Sequence, residues 1–226
     1  GGHMDNIILT TGGTGGHIFP ALAVAEELRR RNPNANLLFV GSLYGPEERL
    51  MRQAGIPFEG VPVRGLLGRG FKAVGAGAQM AMAVAKAVGI IRRFKPDVVA
   101  GFGGYAAFAP MLAGRLMGVP GVLHEQNAIA GASNRFLARI ARRVCISLPN
   151  TSGFDMKKCV FTGNPVRAAV TAVGQISRQR QSRRLLVMGG SQGAHALNAF
   201  MLENLAEFRG AGVEMRHQTG VTDEGS

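Results

Sequence analysis

Ile7-Ile8-Leu9-Thr10-Thr11-Gly12-Gly13-Thr14-Gly15-Gly16-His17-Ile18-Phe19-Pro20-Ala21-Leu22-Ala23-Val24-Ala25-Glu26-Glu27-Leu28 is the stretch that decides the fold. A short apolar run of strand type enters a glycine loop, and Pro20 to Leu28 reads as a helix. The same succession recurs downstream. Leu37-Leu38-Phe39-Val40 is a second strand candidate, and Val98-Val99-Ala100 enters Gly101-Phe102-Gly103-Gly104 before an apolar helix-like stretch. Val119 to Leu123 precedes His124-Glu125-Gln126-Asn127, and Leu185 to Met188 runs into Gly189-Gly190-Ser191-Gln192-Gly193 and the helical Ala194 to Leu205. Strands alternating with helices predict an α/β protein with a parallel sheet of doubly wound type.

Bulk properties bound the function. With 226 residues, 46% of them hydrophobic, the chain can bury one full core and part of another. An excess of 26 Lys+Arg over 14 Asp+Glu gives a formal charge of +12, which favours anionic partners. Aromatic residues make up 6% and Trp is absent, which argues against a base-stacking nucleic-acid binder. Cys145 and Cys159 have no metal-ligand spacing and read as reduced thiols. No signal-peptide pattern opens the chain, and Gly1-Gly2-His3-Met4 reads as a cloning scar, so His3 is not counted as a ligand.

Composition also predicts the domain plan. Ala172 to Arg184 is rich in Gln, Ser and Arg and lacks apolar periodicity, the mark of an exposed connection. Residues 5–163 are thus expected as one Rossmann-like domain, 164–184 as a connection, and 185–226 as the start of a second, only partly present domain. Ala73 to Ile91 carries only Gln79 and Lys86 as polar residues. Lys72, Gln79, Lys86 and Arg93 recur along one helical stripe, which suits either a half-buried helix or one lying against a membrane. Nearby Arg64, Arg69, Lys72, Arg92, Arg93 and Lys95 can meet anionic headgroups or form an ordinary solvated face.

The glycine loops carry the chemical argument. A strand-to-helix loop with close backbone approach presents free N–H groups at a positive helix end, where phosphate oxygens are held. The nicotinamide pattern Gly-x-Gly-x-x-Gly is met only at Gly13 and Gly15, since Ile18 occupies the third position. Gly41, Ser42 and Leu43 stand where the ribose-binding acid belongs, and no glycine cluster is followed by Lys-Ser or Lys-Thr. Dinucleotide oxidoreductases and P-loop ATPases are therefore disfavoured. His17 sits near the carboxyl end of a strand, where it can take a proton from a hydroxyl or cap the helix. No paired acidic motif predicts a metal.

Five strings occur in order: Thr11-Gly-Gly-Thr-Gly-Gly-His17-Ile-Phe-Pro20, Gly101-Phe-Gly-Gly-Tyr105, His124-Glu-Gln-Asn127-Ala-Ile-Ala-Gly131, Gly163-Asn-Pro-Val-Arg167 and Gly189-Gly-Ser-Gln-Gly-Ala194. Together they resemble the peptidoglycan-precursor N-acetylglucosaminyltransferases of glycosyltransferase family 28, over nearly the whole chain. The resemblance implies a GT-B fold with two Rossmann-like domains. It implies inverting transfer of N-acetylglucosamine from UDP-N-acetylglucosamine to the C4 hydroxyl of undecaprenyl-diphosphate-linked N-acetylmuramyl-pentapeptide. UDP-N-acetylglucosamine would be the donor substrate, with no cofactor. The protein would work peripherally at the cytoplasmic face of the bacterial cell membrane, on an anionic surface, with cell-wall synthesis proteins as further partners and no nucleic acid.

By the same resemblance His17 is the general-base candidate, and Gly13, Thr14, Gly15, Asn127, Arg167 and Ser191 would contact the donor. Gly103, Gly104 and Tyr105 would cradle the acceptor diphosphate, and Glu125, Gly190 and Gln192 would support them. From the residues alone, Arg167 serves equally as a phosphate fork or an interdomain ion pair, Asn127 can fix a turn, and Glu125 can orient its neighbours. The family's uracil- and sugar-binding elements fall later than Ser226, so weak donor binding is expected of the chain alone. The alternatives are a related nucleotide-sugar transferase with another acceptor and a non-catalytic acceptor-binding half of a two-chain transferase.

Overall fold

The computed structural model describes residues 5–12, 15–63, 73–174, 183–190 and 193–220. They divide into two compact units, 1–175 and 176–226. The first unit holds a seven-stranded sheet in the order β3-β2-β1-β4-β5-β6-β7, with every pair parallel. Its strands are β1 (Asn6–Thr10), β2 (Asn36–Ser42), β3 (Phe58–Val61), β4 (Val98–Gly101), β5 (Gly121–Glu125), β6 (Arg143–Ile146) and β7 (Cys159–Phe161). Helices α1 (Gly15–Arg31), α2 (Glu47–Gln53), α3 (Ala73–Phe94), α4 (Phe108–Leu116), α5 (Ala132–Ile140) and α6 (Ala168–Val173) complete it.

Side-chain alternation along the central strands builds two cores. Ile7, Leu9, Leu37 and Phe39 join Ile18, Ala21, Leu22 and Met51 of α1 and α2 on one face. Ile8, Leu38 and Val40 join Ala83, Ala87, Ile90, Met111 and Leu137 of α3, α4 and α5 on the other. Both faces of β1 and β2 are covered, so these strands are continuous apolar runs rather than alternating ones. β3, β6 and β7 escaped the sequence reading because each is three or four residues long and mixes in charged or small residues.

Helix α1 starts at Gly15, earlier than the Pro20 boundary expected from sequence. Pro20 lacks an N–H for the Gly16 carbonyl but lies early enough that a single ladder bond is forgone. This places His17 inside the first helical turn. Helix α3 buries Ala83, Ala87, Ile90 and Ile91 and exposes Ala78, Ala81, Met82, Ala85, Lys86 and Arg92, a wider outer face than one polar stripe. Arg93 pairs with Glu59 at 2.7 and 2.9 Å, while Arg64, Arg69 and Lys72 lie outside the described residues. No helix among the described residues is long and apolar enough to cross a membrane. Cys145 and Cys159 are free thiols on neighbouring strands, and burial pushes the Cys145 thiol up.

The second unit repeats the opening theme on a small scale. β8 (Arg184–Met188) pairs in parallel with β9 (Glu214–Gln218), joined through α7 (His195–Glu203) and α8 (Leu205–Gly210). The sheet of the first unit and this partial second one are those of a GT-B protein with one Rossmann-like domain complete. The connection expected at 164–184 straddles the division: Ala168–Val173 is helical within the first unit, and 175–182 lie outside the described residues.

Helix α5 carries residues of the candidate site at its start and is anchored at its end by Lys158. The Lys158 ammonium donates to the carbonyls of Ala138 (3.1 Å), Arg139 (2.9 Å) and Ala141 (3.3 Å), at the negative end of the helix. Lys158→Met is expected to lower stability by about 1–2 kcal/mol, read from the urea unfolding midpoint; an unchanged midpoint would show that water replaces the ammonium at no cost.

Candidate functional site

Strand order reverses between β1 and β4, which makes their carboxyl ends the switch point of the sheet. The loops leaving these strands touch through their backbones. Thr11 Oγ1 (3.0 Å) and Gly12 N (3.3 Å) both donate to the Gly103 carbonyl. Gly104 has φ +81°, and a Cβ there would run into the Gly12 carbonyl, so only glycine fits. Gly103, with φ +94°, lies beneath the His17 ring: a Cβ at 103 would stand 3.0 Å from Nδ1 and 3.1 Å from Cε1.

His17 is half-buried, and its Nδ1 is 3.3 Å from Gln126 Oε1. Gln126 Nε2 in turn donates to the Phe102 carbonyl at 2.8 Å. One residue earlier, the buried Glu125 carboxylate organises the loop that follows β5. Its Oε1 accepts from Asn127 N (2.9 Å) and Asn127 Nδ2 (3.0 Å), and its Oε2 accepts from Asn134 Nδ2 (2.8 Å) and Gly131 N (3.3 Å). Four donors on one carboxylate satisfy a charge that would otherwise be costly to bury.

His124 is buried against Phe102, with ring centroids 5.8 Å apart. Its Nε2 lies 3.1 Å from Ser147 Oγ and 3.4 Å from the Gly163 carbonyl, while Nδ1 is buried without a partner among the described residues. Burial holds this imidazole below the ordinary histidine range, against the opposing pull of the Gly163 carbonyl and Glu125. It follows that His124 belongs to the scaffold beneath the site.

Arg167 reaches the same edge by a separate route. Glu26 Oε2 of α1 accepts from Ala168 N at 3.3 Å, tying the start of α6 to α1. The Arg167 guanidinium then lies 4.7 Å from the centroid of the Phe19 ring, a cation–π contact. Phe19, Pro20, Asn164, Pro165 and Arg167 line a cleft of about 270 Å³ next to Gly16. No group of three or more His, Cys, Asp or Glu among the described residues is placed to hold a metal ion.

Of the residues read from sequence, Gly15, His17, Gly103, Gly104, Tyr105, Glu125, Asn127 and Arg167 lie on the loops and helix starts at the strand ends of the first unit. Tyr105 packs in part against the hydrophobic core. Gly190 opens the glycine loop of the second unit with φ +81°, and Gly193 there closes on the Thr219 carbonyl as Gly104 does on Gly12. Gly13, Thr14, Ser191 and Gln192 lie outside the described residues. The sequence assigned no role to Gln126, Asn134 or Thr11; the places of Thr11 and Gln126 within the five strings were the available signals, and Asn134 had none.

Residues 7–146 match the glycosyltransferase family 28 N-terminal domain. The chain is 54% identical over 232 residues to the UDP-N-acetylglucosamine–N-acetylmuramyl-(pentapeptide) pyrophosphoryl-undecaprenol N-acetylglucosamine transferase of Nitratidesulfovibrio vulgaris, covering 97% of this chain and 61% of that protein. It thus spans about three fifths of the length of the curated relatives it matches. Among solved structures it resembles Acinetobacter baumannii MurG, with a TM-score of 0.71 and 30% identity over 96% of this chain and 69% of that one. A UDP-GlcNAc 2-epimerase from Neisseria meningitidis bound to UDP-GlcNAc, at 15% identity and a TM-score of 0.65, covering 95% of this chain and 66% of that one, shares the fold.

Two outcomes are expected from this geometry. Gly104→Ala should destabilise the first unit by at least about 1–3 kcal/mol from its positive φ alone, measured by urea unfolding; a neutral result would mean the Gly12 loop can move aside. The folded state keeps His124 neutral, whereas the unfolded chain protonates it near pH 6.5. Its contribution is complete above about pH 6.5 and is lost as pH falls below that value toward the lower folded-state pKa. His124→Gln should flatten this acid-side fall in unfolding midpoint, and an identical pH dependence in the variant would exclude His124 as its source.

Proposed function

The chain belongs to glycosyltransferase family 28, and from that membership we propose that it carries the acceptor half and the catalytic base of an inverting N-acetylglucosaminyltransferase. The reaction moves N-acetylglucosamine from UDP-N-acetylglucosamine to the C4 hydroxyl of undecaprenyl-diphosphate-linked N-acetylmuramyl-pentapeptide. The observation that carries this reading is His17: a half-buried imidazole at the switch point, with Nδ1 engaged by Gln126 and the ring seated on Gly103. Relatives 40–54% identical to this chain carry those substrates in their own names, which supports the reading.

Inverting transfer requires a base at the attacking hydroxyl and relief of charge on the departing diphosphate. His17 Nε2 takes the hydroxyl proton as the oxygen attacks the anomeric carbon from the face opposite the UDP oxygen. The C–O bond to UDP breaks with its electron pair on the diphosphate. Gly103 and Gly104, whose positive φ values turn the backbone sharply, and Tyr105 hold the acceptor diphosphate. Gly13, Thr14, Gly15, Asn127, Arg167 and Ser191 are the donor contacts this reading proposes, with Glu125, Gly190 and Gln192 in supporting roles. The Glu125 hydrogen bonds to Asn127 N and Nδ2 support that supporting role.

A peripheral position on the cytoplasmic face of the membrane fits the exposed Ala78, Ala81, Met82 and Ala85 of α3, flanked by Lys86 and Arg92, and the overall charge of +12. Cell-wall synthesis proteins are the partners this location brings within reach.

The test is transfer of radiolabelled N-acetylglucosamine to the muramyl lipid by the chain, alone and joined to the C-terminal segment of the Nitratidesulfovibrio vulgaris transferase. His17→Ala should lower kcat by about 10²–10⁴-fold with little change in binding to acceptor-loaded vesicles. Wild-type turnover in that variant would remove His17 as the base. Transfer only to a different acceptor would replace the acceptor, and a wild-type chimera that binds the muramyl lipid without turning over would leave a binding half alone.

A further inference from the structure

We propose that Gln126 is a positioning residue that fixes the tautomer of His17, so that the neutral imidazole carries its proton on Nδ1 and presents a lone pair at Nε2. This rests on the reading of His17 as the base, for which the location of the lone pair is decisive.

The hydrogen bonds around His17 start at the Phe102 carbonyl. A peptide carbonyl can only accept, so the side-chain group 2.8 Å from it must be the Gln126 amide nitrogen. Turning the amide over would set two oxygens against each other at that distance. Phe102 is itself fixed: it is buried, it directly follows β4, and its N donates to the Thr10 carbonyl at 2.9 Å. The orientation of the Gln126 amide is therefore imposed by the sheet. With its nitrogen committed, Gln126 turns Oε1 toward His17 Nδ1 at 3.3 Å. An amide oxygen also only accepts, so Nδ1 must donate. In a neutral imidazole a proton on Nδ1 leaves Nε2 unprotonated.

Two features make this arrangement selective. Free histidine in water favours the opposite tautomer, with the proton on Nε2, which cannot accept a proton from a hydroxyl at that nitrogen. The ring orientation is held by the same bond, because turning the ring over would put carbon Cδ2 in place of Nδ1 opposite Gln126 Oε1 and forfeit that hydrogen bond. Glu125, next in the chain, is fully engaged with Asn127, Gly131 and Asn134. Buried His124 is engaged through Nε2 with Ser147 and Gly163. Gln126 thus links the loop after β4 to the base of α1, and it gives His17 a direction without adding a charge beside it.

The decisive measurement is a long-range proton–nitrogen correlation spectrum of the full chain labelled with 15N-histidine, recorded in the alkaline range where imidazoles are neutral. His17 is assigned among the five histidines by the signals missing from His17→Ala. The wild-type chain is expected to show a proton-bearing Nδ1 and a bare Nε2 at His17. Gln126→Leu, which removes the acceptor facing Nδ1, should move His17 to predominantly Nε2–H. Unmoved His124 and His217 signals establish that each variant is folded, and the wild-type spectrum decides the tautomer without any variant. In the transfer assay Gln126→Leu should lower kcat by about 10²-fold with acceptor KM within twofold. Nε2–H at His17 in the wild-type chain, or Nδ1–H persisting in Gln126→Leu, overturns the inference. Undiminished kcat in His17→Ala instead ends the base reading and leaves the tautomer assignment standing.

Discussion

The contact on which the rest of the first unit depends is the backbone approach of the loop after β1 to the loop after β4. Thr11 Oγ1 and Gly12 N converge on the Gly103 carbonyl, and Gly104 closes against the Gly12 carbonyl with no room for a side chain. Two strands that are neighbours in the sheet but about ninety residues apart in the chain are thereby locked at the point where ligands bind open α/β sheets. That lock seats the His17 ring on Gly103 and brings the Phe102 carbonyl within reach of Gln126.

Around this contact the buried Glu125 carboxylate spends its hydrogen-bonding capacity inside the protein. Glu125 is nearly inaccessible to water and is compensated by four donors, three of them within six residues of it in the chain. A charge buried in this way is stable only while its partners stay in place, so the loop from Gln126 to Gly131 and the start of α5 behave as one rigid piece. His124 lies below this piece and remains neutral because burial outweighs its neighbours. At the rim, among the described residues, the half-buried His17 is engaged through Nδ1 and the exposed Arg167 lies over the Phe19 ring.

The fold was legible to the extent that its signals were local. Ile7-Ile8-Leu9 and Leu37 to Val40 are long enough, and apolar enough, to announce central parallel strands covered on both faces. Phe58–Val61, Arg143–Ile146 and Cys159–Phe161 could not be read, because a short strand nearer a sheet edge is specified by the neighbour it pairs with. The start of α1 was placed too late because Pro20 resembles a first helical residue. It is tolerated further in because only the Gly16 carbonyl loses a partner.

The same distinction governs the site. By itself the sequence determined the alternation of strand, glycine loop and helix, the five ordered strings that mark the family, and His17 as the titratable group at the first loop. Those properties depend on residue types at short spacing, where steric demand and periodicity act. The tertiary structure alone decided which residues His17 meets. Gln126 is 109 positions away and comes beside it only because parallel pairing sets β1, β4 and β5 side by side. A proton chooses between two ring nitrogens according to the group facing each, and that facing is a property of packing across strands, which no local pattern encodes.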